Sequence, residues 1–227
     1  VESFQHKTEG IPESHPKEWT ESLMPQDFDS GAYWEHRYQK KRDSGDGSYG
    51  RLAEYKANFI NDFVATHKIS SVIEFGCGDG AQLDLVHYPQ YIGIDIAPAA
   101  VEICQRSFVD DYTKCFISYD LLHGIPPQEL ALSVDVIFHL VEDNIFEKYI
   151  RDLFAWATQH VIIYSSNRDE ISPAPHVRHR KFTRWIDENI SGWKLFKREV
   201  NPYPENILHP GDTSFADFYI YKKKRGM

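Results

Sequence analysis

At 227 residues the chain is long enough for one sizeable α/β core and short for two independently folding units. Apolar residues at 41% and charged residues at 26% match ordinary folded chains and argue against disorder. The 34 acids against 25 Lys plus Arg give a formal net charge of -9, which opposes long-range attraction to phosphate backbones and anionic membranes, so no nucleic-acid partner is expected.

Cys77, Cys104 and Cys115 form neither a CxxC pair nor an even disulfide framework, which points to a reducing compartment. No apolar run reaches the roughly 20 residues that a membrane-spanning helix needs. The opening VESFQHKTEG carries no apolar, signal-like stretch, so a cytoplasmic location is expected.

Residues 1–31, acidic and interrupted by Pro12, Pro16 and Pro25, read as an arm, and residues 32–227 as a single domain. AYWEHRYQKK, from Ala32 to Lys41, has helical composition with its aromatics on one side, and the loop after it holds Gly45, Gly47 and Gly50. Arg51 to His67 places Leu52, Tyr55, Phe59, Ile60, Phe63 and Val64 at helical intervals, which predicts an amphipathic helix. The period then changes. Ser71 to Phe75 is a β-branched run stopped by glycines, and from there strand alternates with helix. Strands are expected at Tyr91 to Ile96, Cys115 to Ser118, Val134 to Leu140 and His160 to Ser165; helices are expected after the glycine turn, at Ala99 to Ser107 and at Asn144 to Thr158. Arg180 to Ile190 reads as a last helix, followed by strands at Trp193 to Val200 and Ser214 to Tyr221 with no helix between them. The sum predicts an α/β fold: a seven-stranded, mostly parallel, doubly wound sheet with helices on both faces and an antiparallel C-terminal edge hairpin.

In VIEFGCGDGAQL the glycines at 76, 78 and 80 let the backbone turn sharply and approach a ligand with no Cβ in the way. Alone, such a turn serves equally as a tight strand-to-helix connection. Asp95 in YIGIDI closes the next strand, where a carboxylate can accept both hydroxyls of a ribose or simply cap the following helix. Glu74 lies inside a strand among Val72, Ile73 and Phe75, where a carboxylate is costly to bury unless a ligand's ammonium group or the loop supplies a partner.

These elements resemble the class I, Rossmann-like, S-adenosylmethionine-dependent methyltransferases. The pattern there is [V/I]-x-[E/D]-x-G-x-G-x-G, then G-[I/V/L]-[D/E] closing the second strand, then an acid after the third. The chain supplies VIEFGCGDG, GIDI and FISYDLL, and the resemblance covers about residues 32–222. It implies S-adenosyl-L-methionine as cofactor, with Glu74, Gly76, Cys77 and Gly78 in the turn, Asp95 and Ile96 at the ribose, and Asp120 and Leu121 at the adenine. AYWEHRY is similar to the Y-W-x-x-R-Y helix that covers the cofactor in this class, which makes residues 32–70 cofactor-covering helices with a lid loop. On that resemblance Arg37 pairs with the methionine carboxylate while Tyr33, Trp34 and Tyr38 exclude water. Nicotinamide enzymes usually show G-x-G-x-x-G, and Ala81 stands at the last glycine's position. A Rossmann oxidoreductase or epimerase is the alternative reading, and a non-catalytic module that keeps the fold is another.

In an open α/β sheet ligands lie beyond the carboxyl ends of the strands. The stretches His139-Leu140-Val141-Glu142-Asp143 and Ser165-Ser166-Asn167 should therefore face the transferred methyl. His139 is the first candidate base and also borders the cofactor, with Glu142 as a second candidate catalytic group. Tyr49 in the lid loop would approach the sulfonium. PHVRHRKF, from Pro175 to Phe182, concentrates basic side chains in an acidic chain. His176, His179 and Arg180, with Asp143, are thus candidates for binding a carboxylate- or phosphate-bearing acceptor, and His176 or His179 is an alternative base. A basic start to a surface helix is the plainer reading, which the helix dipole opposes. No zinc-like ligand spacing occurs, and no metal is expected. DVIFHLVED, IIYSSN and HVRHRKFT together resemble bacterial small-molecule and glycan O-methyltransferases. FHLV stands where amino-methylating nucleic-acid enzymes carry N-P-P-Y or D-P-P-Y, so the expected acceptor is a hydroxyl on a small polar, sugar or phosphate-bearing molecule.

Overall fold

The computed structural model describes residues 28–40, 43–206 and 208–224, so the expected arm lies almost wholly outside the described residues. Helix α1 (Ser30–Gln39) begins where the Asp29 carboxylate accepts the Ala32 amide at 2.8 Å, a side-chain cap on its first turn. Helix α2 (Gly50–His67) buries Leu52, Ala53, Ile60, Phe63 and Val64 along one stripe, as the spacing predicts. Then follow β1 (Val72–Phe75), β2 (Tyr91–Asp95), α3 (Pro98–Ser107), β3 (Lys114–Ser118), β4 (Gln128–Val134), α4 (Asp143–Ala155) and β5 (Ala157–Ser165). The chain closes with β6 (Glu170–Ile171), β7 (Arg178–His179), α5 (Phe182–Asn189), β8 (Trp193–Glu199) and β9 (Asp217–Lys223).

The seven-stranded sheet runs β3-β2-β1-β4-β5-β9-β8. Its first five strands are parallel, and β9 pairs antiparallel with both β5 and β8. The pairing of β8 with β9 shifts register between Leu195 and Lys197. Side chains alternate across the sheet because successive residues of a strand point to opposite faces. Val72, Leu130, Ile162 and Phe218 meet Ile60 and Phe63 of α2 and Val101 of α3 on one face. Ile73, Ile94, Ile163 and Tyr219 meet Phe146 and Ile150 of α4 and Phe182 of α5 on the other. Helix α1 packs instead on α3, through Trp34 and Tyr38 against Ala97 and Ala100, and so lies at the carboxyl ends of the strands. Among the described residues no helix is long and apolar enough to cross a membrane.

Five expectations about elements are corrected. The helix after the glycine turn is absent, and only a 3-10 turn at Leu83–Leu85 joins β1 to β2. The connection has no helical apolar face, since its buried side chains are Leu83 and Tyr88, and its backbone is held by α2: Asn61 donates to the Leu85 carbonyl at 2.9 Å and accepts the His87 amide at 2.8 Å. The fourth strand ends at Val134 rather than starting there. Asp135 has a φ of +59°, which breaks the ladder, and Ile137–His139 form a 3-10 turn. A parallel strand covered on both faces shows no alternation, so QELALSV is poorly marked, while the β-branched run VDVIF straddles its end. The fourth helix stops at Ala155 because the next strand starts at Ala157, and the last strand starts at Asp217 rather than Ser214. In the basic segment Arg178 and His179 form β7, which pairs with β6, and the helix expected from Arg180 begins at Phe182.

Candidate functional site

The sheet order reverses between β1 and β4, which opens a crevice at their carboxyl ends. With α1 across it, this crevice is a cavity of about 540 Å³. Its inner wall is the glycine turn. Gly76 and Gly78 adopt φ of +80° and +58°, a region that favours glycine. A Cβ on Gly76 would lie 2.5 Å from Val136 Cγ2, and one on Gly78 would lie 2.5 Å from the Ser44 Oγ. The turn is tied to β2 through the amides of Gly76 and Cys77, which donate to the Ile94 carbonyl at 2.7 and 3.0 Å.

Two acids meet at this wall, Asp95 buried and Glu74 half-buried. Asp95 is 6% exposed and accepts the amides of Gly78 and Ala97, each at 2.9 Å. Burial pushes its carboxyl up to about 6 against the pull of those amides. Glu74 accepts the Tyr91 hydroxyl at 2.7 Å, and burial pushes its carboxyl up to about 7 although Tyr91 and Lys56 favour the charged form. Cys77, Ile96 and Asp120 also line the cavity. Leu121, 59% exposed, does not.

The covering side is aromatic. Trp34 stands edge-on to His139 with ring centres 4.8 Å apart, while His176 is stacked between His139 at 5.5 Å and Tyr33 at 4.9 Å. The Arg37 guanidinium is engaged by Asp43, through the backbone carbonyl at 2.7 Å and the carboxylate at 3.0 Å. The loop before α2 is fastened to the glycine turn through Asp79. That carboxylate accepts the Ser44 hydroxyl at 2.7 Å, the Ser44 amide at 3.1 Å and the Tyr49 hydroxyl at 3.2 Å. Tyr49 thus sits at the rim, 44% exposed, with its phenol pushed up to about 12 by partial burial and the nearby acid.

His139 lines the cavity. Its Nδ1 lies 3.0 Å from the His176 carbonyl, which accepts only, so the proton is assigned to Nδ1 and Nε2 carries the lone pair. Burial lowers this imidazole to about 4. Glu142 is engaged by the start of α1, accepting the Ser30 amide at 2.8 Å and the Ser30 hydroxyl. Asp143 pairs with Arg178 at 3.1 Å and Arg180 at 3.0 Å, and both arginines also donate to the Val141 carbonyl. His179, 8% exposed, meets the Ser166 hydroxyl through Nδ1 at 2.7 Å and borders a second cavity of about 510 Å³ with Asp143, Arg180 and Trp185. His139 and His179 therefore open onto different cavities, and His176 lines neither. Among the described residues no group of three or more His, Cys, Asp or Glu is placed to hold a metal ion.

Sequence reasoning missed Lys56 and Asp135. Lys56 is fully buried and its Nζ lies 2.5 Å from Oδ2 of Asp135, the first residue after β4 and part of the cavity lining. A lysine in the apolar stripe of α2 was the available signal. The corrected end of β4 also moves the segment that follows it: Asp135-Val136-Ile137-Phe138, not FHLV, comes directly after the strand, with the acid and aromatic of the D-P-P-Y form but neither proline.

No family model matches the chain, and no curated protein matches it in sequence. Solved structures do match in shape. The N-methyltransferase NodS from Bradyrhizobium japonicum WM9, in complex with S-adenosyl-L-homocysteine, superposes with a TM-score of 0.66 at 15% identity, covering 87% of this chain and 100% of that one. The fold is that of the Rossmann-like methyltransferases. Magnesium protoporphyrin IX methyltransferase from Synechocystis PCC 6803, with bound S-adenosylmethionine, gives a TM-score of 0.62 at 16% identity, over 88% of this chain and 99% of that one. The methyltransferase domain of bacterial CtHen1 gives 0.59 at 16% identity, over 77% of this chain and 100% of that domain. At these identities the likeness to the methyltransferase structures concerns the fold.

Proposed function

We propose that the chain is an S-adenosylmethionine-dependent methyltransferase acting on a hydroxyl of a small polar, sugar or phosphate-bearing acceptor. One observation carries the reading: a cavity at the switch point of a methyltransferase-type sheet, lined by Glu74, Asp79, Asp95, Asp120 and Asp135 around a glycine turn that no α-helix follows. This set of hydrogen-bond acceptors suits a nucleoside with a cationic tail. A pyrophosphate is held by the N-terminus of the helix after such a turn, and here it would meet carboxylates instead, which counts against a nicotinamide dinucleotide.

In this reading Asp95 accepts the ribose hydroxyls with the lone pairs left over from its two amide bonds, and Asp120 takes the adenine amino group at the rim. Arg37 exchanges Asp43 for the ligand's carboxylate. Trp34 and Tyr38 keep water out. When bound, the donor supplies an electrophilic methyl on a sulfonium. His139 takes the acceptor's proton on Nε2, and a weakly basic imidazole suffices because a hydroxyl becomes strongly acidic as its oxygen gains the methyl. His139 has this role rather than His179 because it alone of the two lines the donor cavity. Glu142, Asp143 and Arg180 position the segment that carries it. A small acceptor is supported by the net charge of -9 and by the acidic lining. An amine acceptor is the second reading, supported by Asp135 and Phe138 directly after β4.

Calorimetric titration with S-adenosylhomocysteine tests the proposal. The wild-type chain should bind it, and Asp95→Ala should bind at least about tenfold more weakly, since the substitution removes hydrogen bonds to a charged acceptor. Absence of binding by folded wild-type protein would refute the function, and unchanged affinity in the variant would refute the role of Asp95.

A further inference from the structure

We infer that Cys77 and Cys104 form a thiol-disulfide couple behind the glycine turn, a site of oxidation by hydroperoxides that governs whether the donor cavity can be filled. The effect on the donor rests on the function proposed above; the couple itself does not. Cys77 lies between the first two glycines of the turn and lines the cavity. Cys104 comes from the buried face of α3 and has no exposed surface. Both sulfurs converge on one atom, the Gly78 carbonyl oxygen, at 3.9 Å from Cys77 Sγ and 3.2 Å from Cys104 Sγ. Glycines clear the space around them. A Cβ on Gly93 of β2 would lie 3.0 Å from Cys77 Sγ, and one on Gly80 would lie 3.1 Å from Cys104 Sγ.

Hydrogen peroxide reaches Cys77 through the cavity. Its O–O bond breaks as the sulfur takes one hydroxyl, giving a sulfenic acid, and the other leaves as water with the thiol's proton. The Cys104 sulfur then attacks the sulfenic sulfur. The S–S bond forms, the S–O bond breaks, and hydroxide leaves as a second water with the Cys104 proton. The two thiols lose two electrons in all, and one peroxide is reduced to two waters. The Cys104 thiol, burial and Asp95 hold the Cys77 thiol well above its usual range, so the first attack is slow at neutral pH and quickens as pH rises. A disulfide sets its sulfurs about 2 Å apart, closer than free thiols can approach, so closing it draws the turn towards α3 and takes both S–H donors from the Gly78 carbonyl. The Gly78 amide also holds Asp95 at 2.9 Å, so the new bond disturbs the wall that receives the donor.

The test treats the full wild-type chain with excess hydrogen peroxide in mildly alkaline buffer, maps its cysteines by peptide mass, and titrates it with S-adenosylhomocysteine. A Cys77–Cys104 cross-link should form within one chain. The cross-linked protein should bind adenosylhomocysteine about tenfold or more weakly, and dithiothreitol should restore the affinity. Saturation with adenosylhomocysteine beforehand should slow cross-linking about tenfold or more, because only the small fraction of chains with an empty cavity exposes Cys77. Cys104→Ser keeps a donor to the Gly78 carbonyl and, before oxidation, should bind adenosylhomocysteine within about twofold of the parent. Without a resolving thiol its Cys77 should proceed to the sulfinic acid, which dithiothreitol does not reverse. The inference is overturned by oxidation of Cys77 with no cross-link inside the chain, or by a Cys77 thiol that survives after the exposed Cys115 is fully oxidised. It is equally overturned by a cross-link that leaves the affinity unchanged or forms as fast in the saturated chain, and by an oxidised Cys104→Ser variant that recovers in dithiothreitol. A cross-link in a chain that, reduced and folded, binds no adenosylhomocysteine would overturn the methyltransferase reading and leave the thiol couple standing.

Discussion

Asp95 and His139 share one cavity and are pushed by burial in opposite directions, the acid up to about 6 and the imidazole down to about 4, each toward its neutral form. Asp95 recovers part of its charge from two backbone amides, whereas His139 has one carbonyl and aromatic neighbours. The imidazole is therefore neutral at physiological pH, with Nε2 free to accept. His139→Phe keeps the packing against Trp34 and removes the acceptor, so kcat should fall by about 10² to 10⁴, the usual worth of a positioned base. Adenosylhomocysteine affinity should change little. Because the folded imidazole titrates near 4, wild-type kcat should be flat through neutrality and decline only as pH falls toward that value. A variant as fast as the parent would remove His139 from the chemistry.

The loop before α2 is held to α1 through Arg37 and Asp43 and to the glycine turn through one acid. Asp79 gathers the Ser44 hydroxyl and amide and the Tyr49 hydroxyl onto the glycine turn. Asp79→Ala should make proteolytic cleavage within residues 43–49 roughly tenfold faster, which corresponds to losing ~1.4 kcal/mol of local stability. Cleavage at the parent's rate would mean that the loop is held otherwise. The acid was visible in the sequence as the variable position of G-x-G-D-G, but its partners are 30 to 35 residues away and no periodicity links them. Elements with a strong period were legible: α2 through its apolar stripe, β1 and β2 through β-branched runs, β8 and β9 as a closing hairpin. The end of β4 was not, because burial on both faces erases alternation and the left-handed Asp135 leaves no mark in composition. The same one-element slip hid the Lys56 pair, since a lysine on a helix reads as solvated until its neighbours are known.

For the whole molecule, buried titratable groups pull stability in opposite directions with pH. Between about 4 and 6.5 the unfolded chain protonates His139 and His160 while the folded chain does not, so these groups lower stability as pH falls through that window. Glu74 and Asp95, raised from 4.5 to about 7 and from 3.8 to about 6, keep protons that the unfolded chain releases, so they lower stability as pH rises through theirs. His160 isolates one side of this balance. It is 4% exposed, packed by Phe63 and His67, and neither ring nitrogen has a partner among the described residues. His160→Phe should stabilise by ~1 kcal/mol near neutrality by removing unsatisfied buried nitrogens, and the gain should grow as pH falls below about 6.5. Denaturant unfolding of both proteins across that range checks this, and a gain that shrinks with acid would contradict it. At the far side of the sheet, β8 is the outer strand among the described residues, and its outward backbone groups would template the strand of another molecule. Its shifted register between Leu195 and Lys197, with Lys194, Lys197 and Arg198 exposed along it, spoils that template. The hairpin that completes the sheet thereby also guards concentrated protein against edge-to-edge aggregation.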